Sequence, residues 1–152
     1  MASQEKLNQT YLAIAQEISN LSRANRAKVG AIIIKDKQII SEGYNGTPTG
    51  FDNSCEYYDF LGHYYTKPEV LHAESNAILK LAKTPNSSDG ATLYVTLAPC
   101  FDCSKLIIQA GIKEVFYINK YRPQEHLRLI MEDGLILLAN AGIPTTQIKM
   151  EK

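Results

Sequence analysis

Leu7, Tyr11, Ile14, Ala15, Ile18 and Leu21 recur at three- and four-residue steps, drawing one apolar stripe along a helix that should end near Leu21. Residues 29–34 and 38–44 are β-rich runs on either side of Asp36-Lys37, and together they predict a hairpin. From Asn45 to Val70 the chain accumulates Gly, Pro, Asn and aromatic residues without a sustained period. Compact domains usually keep so long an irregular stretch for function, so it is expected to line a site. Residues 72–83 form a second helical pattern that stops before Pro85. Residues 91–96 then read as a strand, 103–110 as a helix halted by Gly111, and 114–118 as a strand, which implies a parallel crossover. A helix over 125–141, closed by Gly142, and a last strand over 144–148 complete the pattern. The alternation predicts an α/β fold with helices on both faces of a sheet.

Composition narrows this picture. A chain of 152 residues has the length of one domain, so residues 1–152 are expected to form a single unit. Apolar residues make up 45% of it without any run long enough to cross a bilayer, and no membrane partner is expected. The start MASQEKLNQT has neither the basic region nor the apolar stretch of a secretory leader, which makes a cytoplasmic location the default. Basic and acidic residues balance at 16 each, an argument against a polynucleotide partner. Three cysteines are too few for a disulfide framework, but two of them form a C-x-x-C, which in a reduced compartment points to metal or redox chemistry.

The chemistry concentrates in His72-Ala73-Glu74 and Pro99-Cys100-Phe101-Asp102-Cys103, each at the start of a predicted helix. One imidazole and two thiolates make a three-ligand zinc set, which leaves one coordination position open, as catalytic zinc sites do. Cysteines in a first helical turn face amide hydrogens and the positive end of the dipole, which favours the thiolate that zinc requires. Glu74, two residues from His72, can reach a water at the metal without being a ligand, and a carboxylate there can shuttle a proton. H-x-E followed by P-C-x-x-C is the recorded signature of zinc nucleobase deaminases. Two other readings of the same residues stay open: a zinc-stabilised module that senses nucleotides without converting them, and redox use of Cys100 and Cys103.

With these motifs, and with Val29-Gly-Ala31, Gly43-Tyr-Asn-Gly-Thr-Pro48 and residues 105–113, the chain resembles the cytidine deaminase superfamily. More narrowly, it resembles the deoxycytidylate (dCMP) deaminases. The likeness implies a three-layer α/β/α sandwich on a five-stranded mixed sheet. It also implies one catalytic zinc per chain, held by His72, Cys100 and Cys103, and hydrolysis of dCMP to dUMP and ammonia, supplying dUMP for thymidylate synthesis. It further implies a homo-oligomer, usually a hexamer, activated by dCTP and inhibited by dTTP, with magnesium accompanying the effector's phosphates. Acceptance of dCTP as substrate, or of free cytidine, are alternatives within the same fold.

The resemblance also assigns residues beyond the zinc set. Ala73 lies with His72 and Glu74 in the substrate pocket, and Asn45 matches a sugar contact, although Asn-Gly is equally a turn dipeptide. Tyr121 could stack on cytosine, and Arg122 could meet the 5′-phosphate or simply lie on the surface. Arg26, Lys28, Gly43, Tyr44 and Gly46 correspond to an allosteric nucleotide site, against which stands the reading of a solvated basic turn. His63, Tyr64, Tyr65 and Lys67 are further candidates to close over the phosphate. Cys55 and His63 are the only remnants of a second zinc site found in some phage relatives, and Cys55 reads rather as a small buried side chain.

Overall fold

The computed structural model describes residues 1–120 and 133–152. Its strands are β1 (Gly30–Lys35), β2 (Gln38–Tyr44), β3 (Glu56–Tyr58), β4 (Tyr64–Thr66), β5 (Thr92–Leu97), β6 (Glu114–Asn119) and β7 (Thr145–Gln147). Five of them form one sheet in the order β2-β1-β5-β6-β7, while β3 and β4 pair separately. β1 runs antiparallel to both β2 and β5, and β6 and β7 continue parallel to β5, so the sheet is mixed as expected.

Alternation along β1 sorts its side chains between two layers. Ile32 and Ile34 face helix α1 (Gln4–Ser19), with Leu12, Tyr94 and Phe116. Ala31 and Ile33 face the layer that holds α2 (Ala73–Lys80), α3 (Phe101–Gln109) and α4 (Gly134–Asn140), with Ala77, Ile107 and Leu138. The β1–β2 turn forms because Asp36 and Lys37 both take positive φ, 52° and 61°, the geometry of the tight hairpin turns that match strand twist. Among the described residues no helix is long and apolar enough to cross a membrane.

Three expectations need correction. The α1 helix ends at Ser19, and Leu21 lies beyond it, 58% exposed. The buried face of α1 is Asn8, Leu12, Ala15 and Ser19, with Tyr11, Ile14 and Ile18 only partly covered beside it. The segment 45–70 is not wholly irregular, since it contains the β3–β4 hairpin, held by cross-strand pairs Tyr57–Tyr65 and Tyr58–Tyr64. The helix predicted over 125–141 is not continuous, since Asp133 is an extended N-cap whose side chain accepts the Leu135 and Ile136 amides and α4 begins only at Gly134; residues 121–132 lie outside the described residues.

Asn8 is buried in α1 because it has a partner on β5: the Tyr94 hydroxyl donates to Asn8 Oδ1 at 2.6 Å. Tyr94 is itself 2% exposed, and burial pushes its hydroxyl up to about 12. Tyr94→Phe should cost about 1 kcal/mol, because Asn8 Oδ1 keeps its bond from Gln4 Nε2 at 2.9 Å. Thermal unfolding should show the melting temperature falling by roughly 3 °C. An unchanged melting temperature would remove this bond from the account of how α1 is held.

Candidate active site and metal centre

Close packing of α2 on the sheet starts with an absence of side chain. A Cβ on Gly43 of β2 would collide with the Ala73 carbonyl oxygen and the Ala77 amide nitrogen, so glycine lets the head of α2 lie against β2. Just beyond β2, Gly46 and Leu71 exchange backbone hydrogen bonds of 3.0 and 2.8 Å. This bridge brings His72, the N-cap of α2, beside Asn45.

Cys100 is the N-cap of α3 and, unlike His72, caps it with its side chain, Sγ accepting the Cys103 amide at 3.4 Å. The helix therefore begins at Phe101, two residues before the predicted start, and Cys100 sits at its cap rather than inside its first turn. The electrostatic consequence expected for a helix start still holds, because an amide of the first turn points at the sulfur. On the far side, a Cβ on Gly134 would collide with the Pro99 carbonyl oxygen, so the start of α4 presses directly on the cysteine loop.

The two helix starts bring three ligand atoms together. His72 Nδ1 lies 3.5 Å from Cys100 Sγ and 3.3 Å from Cys103 Sγ. Tetrahedral zinc with usual bond lengths has N···S edges of roughly 3.5 Å, so the spacing and the donor chemistry fit that ion. Among the described residues this is the one cluster of three or more potential ligands with such spacing.

Protonation follows the geometry. The Cys100 thiol is pushed down to about 4 by its hydrogen bond with Cys103, helped by His72 and against burial. The Cys103 thiol is pushed up, first by that same contact and then by burial. His72 is raised chiefly by its hydrogen bond with Cys100. Glu74, in the first turn of α2, is 4% exposed, and burial raises its carboxyl.

His72, Glu74 and Cys100 line a cavity of about 490 Å³, which is also lined by Ala24, Arg26, Ala27 and Val29 and by Glu56 and Thr66 of the β3–β4 hairpin. Ala73 and Asn45 also line it. The Asn45 side chain is held by backbone: its Oδ1 accepts the Val29 amide at 2.9 Å and its Nδ2 donates to Ala27 O at 2.8 Å. Tyr121 and Arg122 lie outside the described residues.

The residues grouped as an effector site have different surroundings. Arg26 lines the catalytic cavity, Gly43 is covered by α2, and Gly46 is engaged through its backbone with Leu71. Lys28 and Tyr44 are exposed. The four residues expected to close over the phosphate are also engaged elsewhere. His63 pairs with Asp59, Tyr64 and Tyr65 pack on the facing tyrosines, and Lys67 bonds Asp52. Thr66 from the same hairpin lines the cavity instead, together with Glu56 and with Cys55, which is buried as expected. No local motif marked Thr66 or Glu56, because their neighbours in the cavity come from a distant stretch of chain.

Residues 5–119 match the family model for the cytidine and deoxycytidylate deaminase zinc-binding region. The chain is 37% identical to the deoxycytidylate deaminase of Enterobacteria phage T4 over 149 aligned residues, covering 74% of this chain and 77% of the phage protein. It is 36% identical to the ComE operon protein 2 of Bacillus subtilis, covering 95% of this chain and 72% of that protein. Among solved structures, a dCMP deaminase of cyanophage S-TIM5 in complex with dCMP and dUMP superposes with a TM-score of 0.84 and 40% identity, over 97% of this chain and all of the phage chain. Because the family match spans most of the chain and takes in the helix starts that carry His72, Glu74, Cys100 and Cys103, the chain belongs to the cytidine and deoxycytidylate deaminase family.

Proposed function

We propose that this chain hydrolyses dCMP to dUMP and ammonia. The observation that carries the reading is Glu74, a buried carboxyl beside the His72, Cys100 and Cys103 ligand set on the wall of a cavity open to small molecules. The likeness to dCMP deaminases narrows the substrate.

His72, Cys100 and Cys103 would hold zinc, which when bound supplies the Lewis acidity that makes water a nucleophile near neutral pH. Glu74 takes a proton from the water as its oxygen bonds to cytosine C4, and passes that proton to ring N3. It then takes the second proton from the new C4 hydroxyl and delivers it to the exocyclic amine as the C4–N bond breaks, leaving a C4 carbonyl and ammonia. Burial raises the Glu74 carboxyl, which suits a group that must hold a proton between two transfers. Asn45 stands at the sugar end of this pose. Arg26, with Arg122, meets the 5′-phosphate, and Tyr121 stacks on the base.

Separate assays with dCMP, dCTP, deoxycytidine and cytidine test the substrate. The value of kcat/KM should be highest for dCMP, by tenfold or more over the nucleosides, since one charge-assisted phosphate contact is worth about 1.5–3 kcal/mol. Preference for an unphosphorylated nucleoside would reject dCMP as substrate, and equal rates with dCTP would make the enzyme bifunctional.

The proposal extends to activation by dCTP and inhibition by dTTP in a hexamer, with magnesium on the effector's phosphates. Its support is the resemblance carried by Gly43–Pro48, together with the exposure of Tyr44 within that stretch and of Lys28. Rate curves against dCMP that neither nucleotide alters would remove effector control and leave the catalytic assignment standing.

A further inference from the structure

Residues 25–29 carry no regular secondary structure, yet much of their backbone is held by two side chains from elsewhere. Asn45 takes one end, through the Val29 amide and the Ala27 carbonyl. Glu56 takes the other: its Oε1 accepts the Asn25 amide at 2.8 Å and the Arg26 amide at 3.2 Å. Glu56 is the first residue of β3 and only 8% exposed, and among the described residues it forms no ion pair. Burying a carboxylate without a cation is costly unless donors surround it, and here the identified donors are two consecutive amides of one loop.

The Arg26 side chain reaches from this loop across to β4, where Nη1 lies 3.5 Å from Thr66 Oγ1. That distance is at the limit of a hydrogen bond, and among the described residues Arg26 meets no carboxylate. Its backbone is therefore fixed while its guanidinium is left to a ligand. A cation held in this way binds a dianionic phosphate at lower ordering cost than one on a loose loop.

We infer that Glu56 is a positioning residue for substrate selection: by anchoring the Asn25 and Arg26 amides to the β3–β4 hairpin, it presets Arg26 to receive the 5′-monophosphate. This rests on the proposed dCMP reading, and it adds a residue that acts on the phosphate only through Arg26. The carboxylate itself would repel phosphate, so its use in this wall makes sense as an anchor satisfied by backbone rather than as a ligand.

The test compares kcat/KM for dCMP with kcat/KM for deoxycytidine in wild type, Glu56→Ala, Glu56→Gln, Arg26→Ala and the Glu56→Ala/Arg26→Ala double variant. Arg26→Ala should lower the dCMP-to-deoxycytidine ratio at least tenfold. Glu56→Ala should lower it severalfold, mainly through KM for dCMP, and should add nothing once Arg26 is gone. Glu56→Gln should restore most of the ratio, because its amide oxygen can accept the same two N–H groups. Should Glu56→Ala fail to fold or hold zinc, Glu56→Asp, which keeps the charge but falls one methylene short, should show the same loss of ratio.

Equal losses on both substrates in Glu56→Ala, or a further drop in the ratio in the double variant, would overturn the inference. So would a full effect of Arg26→Ala beside none of Glu56→Ala. A wild type that does not prefer dCMP overturns the underlying function instead, and an Arg26→Ala variant with an unchanged ratio removes Arg26 from the phosphate site.

Discussion

Glu74→Gln should hold its zinc and lose roughly three to four orders of magnitude in turnover, the upper range for removing a group that acts as both general acid and general base. Glutamine keeps the shape of the side chain but cannot carry one proton from water to N3 and a second from the C4 hydroxyl to the leaving amine. The ligand set is untouched, since the atoms within bonding distance of a common ion belong to His72, Cys100 and Cys103. Nor should the fold suffer. Burial already disfavours the charged form of Glu74, and a neutral amide avoids that desolvation. The measurement pairs steady-state turnover with elemental analysis and binding of dCMP. Full zinc, retained binding and turnover down by about three orders of magnitude or more would support the mechanism. Turnover near wild type would sink the assignment of Glu74. A wild type that binds dCMP without converting it would favour a nucleotide-sensing module.

Why the reaction was legible in the sequence and the pocket's far wall was not follows from range. His72 and Glu74 sit two residues apart at one helix start, and Cys100 and Cys103 three apart at another, so each half of the chemistry is a local pattern. Their meeting requires only that strand β5 lie between the two helices. By contrast, Glu56 is read as an ordinary glutamate until its partners, the Asn25 and Arg26 amides some 30 residues earlier, are known. Backbone amides leave no trace in composition.

The same contrast runs through the fold. The β1–β2 hairpin is written in two β-rich runs and a turn pair that takes positive φ. The β3–β4 hairpin escapes because most of its side chains are exposed, so burial imposes no period-two pattern on it. Asn8 interrupts the α1 stripe, and its burial makes sense once the Tyr94 hydroxyl, 86 residues away, joins Gln4 as a donor to its Oδ1. Gly43 could be matched to a nucleotide site by resemblance, but its packing role is to leave room for α2, a requirement visible only once helix and strand are laid together.

Cys103→Ala should reduce bound zinc from about one per chain to near zero and abolish measurable turnover, because two remaining ligands cannot close the site that three define. Stripping the wild type with a chelator should do the same reversibly, with activity returning on added zinc. Stability should follow. A ligand held at a thousand times its dissociation constant contributes about 4 kcal/mol, so the melting temperature should fall by roughly 10 °C on removal. The thiols also set the direction of the pH dependence. Cys100, pushed down to about 4, is already a thiolate at neutral pH, whereas Cys103, pushed up by its contact with Cys100 and by burial, holds a proton that zinc must displace. Lowering the pH therefore favours the proton over the metal, and apparent affinity should drop roughly tenfold per unit while Cys103 is the one group titrating against zinc. Cys55, buried apart from the ligand set, provides the comparison: Cys55→Ala should keep its zinc. Undiminished turnover in a fully zinc-free protein would overturn the metal's role. A reversible Cys100–Cys103 disulfide with no bound zinc would turn the pair to redox use instead.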